Sequence, residues 1–137
     1  MRITYKLGDN AYIPTKAHSA DAGFDIRTPI DFGVPAWGAA TVDTGVHVAI
    51  PEGYVGFIKS KSGLNVNYGL TAEGVIDSGY TGSIRVKLYN NHSVGHNFKK
   101  GDKITQLVIL PIPEVEMVEG EMEETERGDN GFGSTGK

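Results

Sequence analysis

The sequence predicts an all-β protein, and three features of the chain support this prediction. Nineteen of the 137 residues are glycine, and glycine disfavours helix interiors by ~1 kcal/mol relative to alanine. Apolar and polar residues alternate in several short runs, which is typical of half-buried strands. Glycine-rich turn signals separate these runs. Many short strands joined by such turns favour a sandwich, a jelly roll or a barrel.

Four runs carry the strand pattern, at residues 41–50, 54–59, 83–89 and 104–112. The third run alternates cleanly, with three aliphatic residues on one face and two cations on the other. The fourth run is long and almost wholly apolar, which predicts a buried strand. A short helical turn is expected near residues 63–68.

Composition and charge exclude several classes of partner. The chain has 13 basic and 17 acidic residues, so its formal net charge is −4. Because phosphate backbones select basic surfaces, no nucleic-acid polymer is expected as a partner, whereas a small triphosphate remains compatible. The absence of cysteine excludes disulfides and thiolate metal sites. No apolar run resembles a signal peptide or a membrane span, so we expect a cytoplasmic protein without membrane contact.

The composition changes at Pro113, which divides the chain into two predicted parts. Residues 1–112 are expected to form the β domain, and residues 113–137 a flexible C-terminal arm. Residues 114–126 are mostly acidic, and residues 127–137 are rich in glycine. Composition alone leaves a disordered acidic tail equally open. An extended segment of this length can span roughly 80 Å, which is enough to reach a neighbouring subunit.

The end of the arm has residue types that suit phosphate. Arg127 offers a planar fork of donors, and Gly133, Ser134 and Thr135 can expose backbone N–H groups and hydroxyls as an anion nest. Phe132 suits a flat base or a partner's groove. Residues 131–137 also match the start of a P-loop, but no strand of a parallel sheet precedes them, so a P-loop is not expected.

Two segments of the β domain could also carry chemistry. Residues 59–63 contain two cations and two hydroxyls, which suit phosphate, although a solvated loop explains them as well. Residues 74–82 predict a hairpin, in which Asp77 follows the apolar pair Val75 and Ile76. Its carboxylate is expected at a strand end facing a cleft, where it can act as a base toward water. A turn aspartate that caps backbone amides is the competing interpretation.

Five segments, in this order, resemble the five motifs of trimeric dUTPases. They are ADAGFDI at 20–26, KSG at 61–63, GVIDSGYTG at 74–82, GDKITQ at 101–106 and RGDNGFGSTG at 127–136. Each segment alone could arise by chance, but together they extend from residue 20 to residue 136 in a specific order. The resemblance to this family is therefore specific and covers most of the chain.

The resemblance implies a jelly-roll-like β-barrel, assembled as a homotrimer with a flexible C-terminal arm and active sites between subunits. It implies hydrolysis of dUTP to dUMP and pyrophosphate by attack of water on the α-phosphorus. Asp77 is the implied base for this water, and Ser62 is implied to hydrogen-bond the phosphate chain near the scissile bridge. The implied substrate-binding residues are Lys61, Gly63, Gly74, Val75, Ile76, Tyr80, Gln106, Arg127, Phe132, Gly133, Ser134 and Thr135.

The resemblance also implies which part of the substrate each of these residues binds. The backbone of residues 74–76 reads the uracil edge, Tyr80 packs against deoxyribose, and Gln106 contacts the α-phosphate from a neighbouring subunit. The arm holds the β,γ end through Arg127, Ser134 and Thr135, while its Phe132 stacks on the base. The implied cofactor is Mg²⁺, bound by the three phosphates and by waters, with Asp25 reaching it through water. Magnesium characteristically keeps such a hydration shell.

Two departures from the family pattern concern substrate binding. Lys61 stands where arginine is usual, so phosphate would be neutralised by a point charge without a bidentate fork. The segment between Gly69 and Gly74 is short and lacks an asparagine that often assists uracil recognition. Base reading is therefore expected to rest more on the backbone.

Three alternatives remain open from the sequence. A dCTP deaminase-like enzyme of the same superfamily is not expected to carry the glycine-rich fifth motif. A nucleotide-binding regulatory protein could keep the trimer and the pocket, but it would not release pyrophosphate. A structural β-sandwich without a ligand leaves the phosphate-suited arm unexplained.

Overall fold

The computed structural model describes residues 1–133 and contains ten strands and one helix in that range. In chain order these are β1 (Tyr5–Leu7), β2 (Gly23–Arg27), β3 (Phe32–Val34), β4 (Ala39–Asp43), β5 (Val46–Val48), β6 (Tyr54–Lys59), α1 (Ser62–Tyr68), β7 (Leu70–Ile76), β8 (Arg85–Asn90), β9 (His96–Phe98) and β10 (Lys103–Pro111). The predicted Ser134 and Thr135 lie outside the described residues.

A six-stranded antiparallel sheet forms the centre of the molecule, in the order β2-β10-β6-β7-β8-β4. Two smaller sheets, β1-β5 and β3-β9, complete the fold. Side chains from all three sheets share one core, including Ile26, Val34, Val46 and Ile104, each at most 1% exposed. The sheet curls around this core because apolar residues line its inner face. The predicted all-β, jelly-roll-like architecture is confirmed.

Several local predictions agree with the structure. The run at 54–59 is β6, and the run at 83–89 becomes β8, with its alternate aliphatic side chains buried. The helical turn expected near 63–68 is α1. The run at 104–112 becomes β10, but its second half is not buried as predicted, since Leu110 and Ile112 are 40% and 47% exposed. Pairing of β10 with β2 ends at Val108, so the residues after it have a neighbour on one side only.

The prediction of one strand over residues 41–50 was wrong. The run divides into β4 and β5, which belong to different sheets. Between them Gly45 has φ 69°, a left-handed conformation that glycine adopts without steric cost. The N–H and the hydroxyl of Thr44 both donate to Ile84 O, at 3.0 and 2.6 Å. The alternation continued through this break because Val42 and Val46 point into the same core.

Within residues 1–133, no helix combines the length and the apolar character needed to cross a membrane.

Candidate active site

The predicted hairpin is open, and its opening forms a cleft. Strands β7 and β8 pair only from Leu70–Asn90 to Ala72–Leu88. Beyond Ala72, β7 stays paired with β6 as far as Ile76, whereas Ile84 N–H donates to Val46 O at 2.8 Å. The two strands are thus drawn apart. The resulting cavity of about 240 Å³ is lined by Ile58, Gly74, Val75, Ile76, Asp77, Tyr80, Ser83, Ile84 and Arg85.

Backbone groups of β7 face this cleft. Along an antiparallel strand, successive residues direct their N–H and C=O groups alternately to the two neighbouring strands. Residues 74–76 have β6 on one side and the separated β8 on the other. Of these three consecutive residues, at least one therefore directs its hydrogen-bonding groups into the cleft. Such groups can read the edge of a planar ring.

Asp77 and Tyr80 form the mouth of the cleft. Asp77 directly follows the end of β7 and is exposed. Its carboxylate accepts no hydrogen bond from any group in residues 1–133, so it can accept a proton from water. The Tyr80 hydroxyl donates to Ser83 O at 2.8 Å. A Cβ at Gly82 would lie 2.5 Å from the Tyr80 hydroxyl oxygen, so the ring needs glycine at that position.

A second group of polar residues surrounds Asp25, whose side chain is nearly buried. Lys61 pairs with one carboxylate oxygen, and Lys103 Nζ lies 3.1 Å from the other. Burial by itself raises the pKa of Asp25, but the hydrogen bonds and positive charges of the two lysines outweigh it and hold this pKa below its usual value. Asp25 is therefore an ionised anchor that orients two cations. Sequence reasoning missed Lys103, although it lies inside the Gly-Asp-Lys segment that carried the fourth motif.

Gln106 lies beside this group. On β10 it is in register with Asp25 on one side and Lys59 on the other, and its Nε2 donates to Ser60 O at 2.9 Å. Ser62 and Gly63 follow at the start of α1 and are exposed. The predicted residues of the first, second and fourth motifs thus lie together at one end of the central sheet.

The two groups do not meet within one chain. α1, which begins with Ser62, lies where β6 ends and β7 starts, whereas Asp77 follows the far end of β7. A seven-residue strand spans about 20 Å. The predicted base and the predicted phosphate-binding residues are therefore separated by the length of β7.

The arm is separate from both groups. Residues 113–133 contain no strand or helix, and no hydrogen bond among the described residues joins them to the barrel. Arg127 Nε donates locally to Asn130 O at 2.9 Å. Phe132 has a fully exposed ring and φ 50°. Among the described residues, Arg127, Phe132 and Gly133 thus make no hydrogen bond to the rest of the predicted site.

The charged residues around Asp25 offer few direct ligands for a magnesium ion. In the part of the chain that the structure describes, no three or more His, Asp or Glu side chains converge on a common point. Asp25 is ionised, and each carboxylate oxygen that accepts from a lysine keeps a second lone pair for a water molecule. The residues therefore suit a hydrated magnesium ion carried by a phosphate ligand better than an ion bound directly by several side chains.

Replacing Asp25 by asparagine is expected to lower the free energy of unfolding at pH 7 by about 1–3 kcal/mol, because two partly solvated lysines lose a buried partner. Because the pKa of Asp25 is lower in the folded than in the unfolded protein, its ionised carboxylate stabilises the fold at pH values above the unfolded pKa of about 3.9. This stabilisation is lost as the pH falls through the pKa of the folded protein. Urea unfolding of the Asp25→Asn variant and of the unmodified protein should be measured from pH 7 to pH 3. The difference between their free energies of unfolding should shrink in acid. A difference independent of pH would assign the loss to packing.

The structure thus defines an all-β protein with a curled central sheet, whose cleft and whose cluster of charged residues lie at opposite ends of β7. The dUTPase family model matches residues 9–136, and the chain belongs to the dUTPase family.

Curated relatives and solved structures are similar over nearly the whole chain. The deoxyuridine 5'-triphosphate nucleotidohydrolase of Paramecium bursaria Chlorella virus 1 is 42% identical, covering 98% of this chain and 96% of the viral protein. The enzyme of the same name from Solanum lycopersicum is also 42% identical, covering 96% and 79%. The dUTPase of Staphylococcus bacteriophage 80alpha, solved with dUpNHpp, superposes with a TM-score of 0.89 at 33% identity, covering 99% of both chains. A phage phi11 dUTPase mutant, solved with a structural Mg(II) ion, gives 0.79 at 31% identity, covering 88% and 98%.

Proposed function

We propose that this chain hydrolyses dUTP to dUMP and pyrophosphate. The observation that supports this most directly is the open hairpin, which brings a backbone edge, a tyrosine ring and the carboxylate of Asp77 to one cleft. The names of the relatives and the dUTP analogue bound by the phage 80alpha enzyme point to the same activity. A dCTP deaminase-like activity is not favoured by these relatives.

In the proposed reaction, the backbone of residues 74–76 hydrogen-bonds the uracil edge and Tyr80 packs against the deoxyribose. The α-phosphorus then lies at the mouth of the cleft beside Asp77. Its carboxylate accepts a proton from water, and the oxygen of this water attacks the α-phosphorus. The bond from the α-phosphorus to the bridging oxygen breaks, and pyrophosphate leaves.

A neighbouring subunit supplies the phosphate-binding residues in this proposal. Ser62 hydrogen-bonds the phosphate chain near the bridging oxygen, Gln106 contacts the α-phosphate, and Lys61 and the N–H of Gly63 neutralise and hold the chain. Asp25 keeps Lys61 oriented. A magnesium ion, when bound, would neutralise charge on the triphosphate, with Asp25 contacting its hydration shell.

The arm completes the site from residues 113–137, as a part separate from the β domain of residues 1–112. Arg127, Gly133, Ser134 and Thr135 hold the β,γ end, and Phe132 stacks on the base. The exposed ring of Phe132 and its separation from its own barrel support this assignment. A cytoplasmic location stays a prediction.

We further propose a homotrimer. The separation of Ser62 from Asp77 within one chain supports this, because both residues can act on one substrate only if a second subunit brings them together. An apolar cavity of about 330 Å³ beside β1 and β10 offers a contact surface. It is lined by Met1, Ile3, Tyr5, Pro14, Phe24, Val48, Leu107 and Ile109.

Subunit sharing can be tested by complementation. Ser62→Ala and Asp77→Asn are each expected to be nearly inactive, because each removes one half of every site. In trimers reassembled from an equal mixture, random association restores about a quarter of the sites. Pyrophosphate release by mixed and separate variants measures this recovery. A mixture as inactive as its components, despite exchange of subunits, would mean that one chain holds the whole site.

The proposed activity is tested by pyrophosphate release from dUTP, dTTP, dCTP and UTP measured side by side. A strong preference for dUTP is expected, because fixed backbone groups in the cleft hydrogen-bond the edge of the base. Ammonia release from dCTP would favour the deaminase. Tight dUTP binding without pyrophosphate would favour a regulatory protein.

Tyr80→Ala is expected to narrow the preference for dUTP over UTP. A ring packed against C2′ leaves a 2′-hydroxyl without space or partner, and burying an unpaired hydroxyl costs ~1–3 kcal/mol. The ratio of kcat/KM values for the two substrates measures this preference. A ratio equal to that of the unmodified protein would assign sugar recognition to another group.

A further inference from the structure

The turn between β4 and β5 holds the loop that carries the mouth of the cleft. We name residues 43–47 the clamp turn and residues 77–84 the sugar loop. Asp43 Oδ1 accepts a hydrogen bond from Ser83 Oγ, and His47 Nδ1 lies 2.8 Å from Thr81 O. Because a carbonyl oxygen can only accept, Nδ1 of His47 carries the proton of this bond. Together with the bonds of Thr44 and Val46 to Ile84, the clamp turn secures three residues of the sugar loop.

The contacts of Asp43 and His47 reach Tyr80 through its neighbours. Ser83, which Asp43 holds by the hydroxyl, accepts the Tyr80 hydroxyl on its carbonyl oxygen at 2.8 Å. Thr81, which His47 holds, directly follows Tyr80. Neither Asp43 nor His47 lines the cleft. They can therefore influence a bound sugar only indirectly, through neighbours that line the cleft, of which Tyr80 carries the ring that would face the sugar.

The charge of Asp43 strengthens this arrangement. Hydrogen bonds from Ser83 Oγ and from the backbone N–H of Gly45 hold the pKa of Asp43 below its usual value, and the positive charge of Arg85 adds to the effect. An ionised acceptor makes a stronger hydrogen bond than a neutral one. The bond to Ser83 thus persists across the neutral range.

We infer that Asp43 and His47 are positioning residues for sugar selection: they hold the sugar loop so that the Tyr80 ring excludes a 2′-hydroxyl. This inference rests on the proposed function, since it concerns the choice between dUTP and UTP. The sugar loop has no strand partner of its own from Asp77 to Ser83. Without the clamp turn, the ring would sample other orientations and admit a ribose.

The test compares Asp43→Ala and His47→Phe with the matched control Thr41→Ala, an exposed residue of β4 outside both the clamp turn and the cleft. The kcat and KM values for dUTP and UTP are measured for each variant. Both clamp variants are expected to raise KM for dUTP more than they lower kcat, and to reduce the dUTP-to-UTP preference about tenfold, a ratio equal to ~1.4 kcal/mol. The control should keep the preference. Asp43→Asn retains an acceptor oxygen and should recover most of it.

A double variant tests whether the effect passes through Tyr80. In a Tyr80→Ala protein, adding Asp43→Ala should not lower the preference further, because coupled residues give non-additive effects. A full additional tenfold loss would overturn the inference. So would a clamp variant that loses thermal stability but keeps its substrate preference.

Hydrogen exchange separates this inference from the proposed function. Amides of residues 77–84 should exchange faster in Asp43→Ala than in Thr41→Ala, whether or not the protein hydrolyses dUTP. An unmodified protein that releases no pyrophosphate would refute the proposed function alone. Equal exchange in both variants would refute the clamp turn alone.

Discussion

Asp77→Asn is expected to lower dUTP turnover by about 10²–10⁴-fold, the range of general-base contributions, while dUTP binding stays close to that of the unmodified protein. Asparagine has the size of aspartate but cannot accept the proton from the attacking water. The side chain is exposed and accepts no hydrogen bond within residues 1–133, so the substitution should not disturb the fold. The predicted defect is therefore confined to the chemical step.

Steady-state rates and calorimetric binding measure the two parts of this prediction. Asp9→Asn, at an exposed aspartate distant in sequence from every motif, is the matched control for the loss of one negative charge. The control should retain full turnover and binding. Turnover by Asp77→Asn within a few-fold of the control would remove Asp77 from the mechanism and leave it as a turn residue.

Truncation after Glu126 is expected to leave a folded trimer that has lost most of its activity, on the order of 10²-fold or more. The barrel is closed before the arm begins, since β10 ends at Pro111 and Ile112 N–H donates to Gly53 O at 2.8 Å. The truncated protein lacks the donors of Arg127 and the ring of Phe132. Water would therefore reach the triphosphate.

Sedimentation equilibrium, thermal unfolding and turnover separate these effects of truncation. The mass should remain about three times that of one truncated chain, which is slightly below the 14.7 kDa of residues 1–137. Phe132→Ala should show a smaller loss of activity, and Arg127→Lys tests whether the planar fork is needed. Near-normal turnover by the truncated protein would make the arm the acidic tail that composition also allowed.

The sequence by itself determined the fold class and the residue types available for chemistry. The period-two alternation of β6 and β8 could be read directly, because side chains of a strand alternate between core and solvent. The motif residues could also be found, because turns and phosphate contacts demand particular residues over short segments. The roles of Asp77, Ser62 and Gln106 in the reaction remain predictions.

Only the tertiary structure decided how these segments meet. The break at Thr44, the opening of the hairpin and the bond from Ser83 to Asp43 each depend on hydrogen bonds between residues about 40 positions apart. The pairing of Asp25 with Lys61 and Lys103 likewise joins three separate segments. Local patterns carry no information on such partners, because the energy of each contact depends on which strands become neighbours. The distance between Ser62 and Asp77 has the same cause, since β7 holds them apart in space only when it is extended within the sheet.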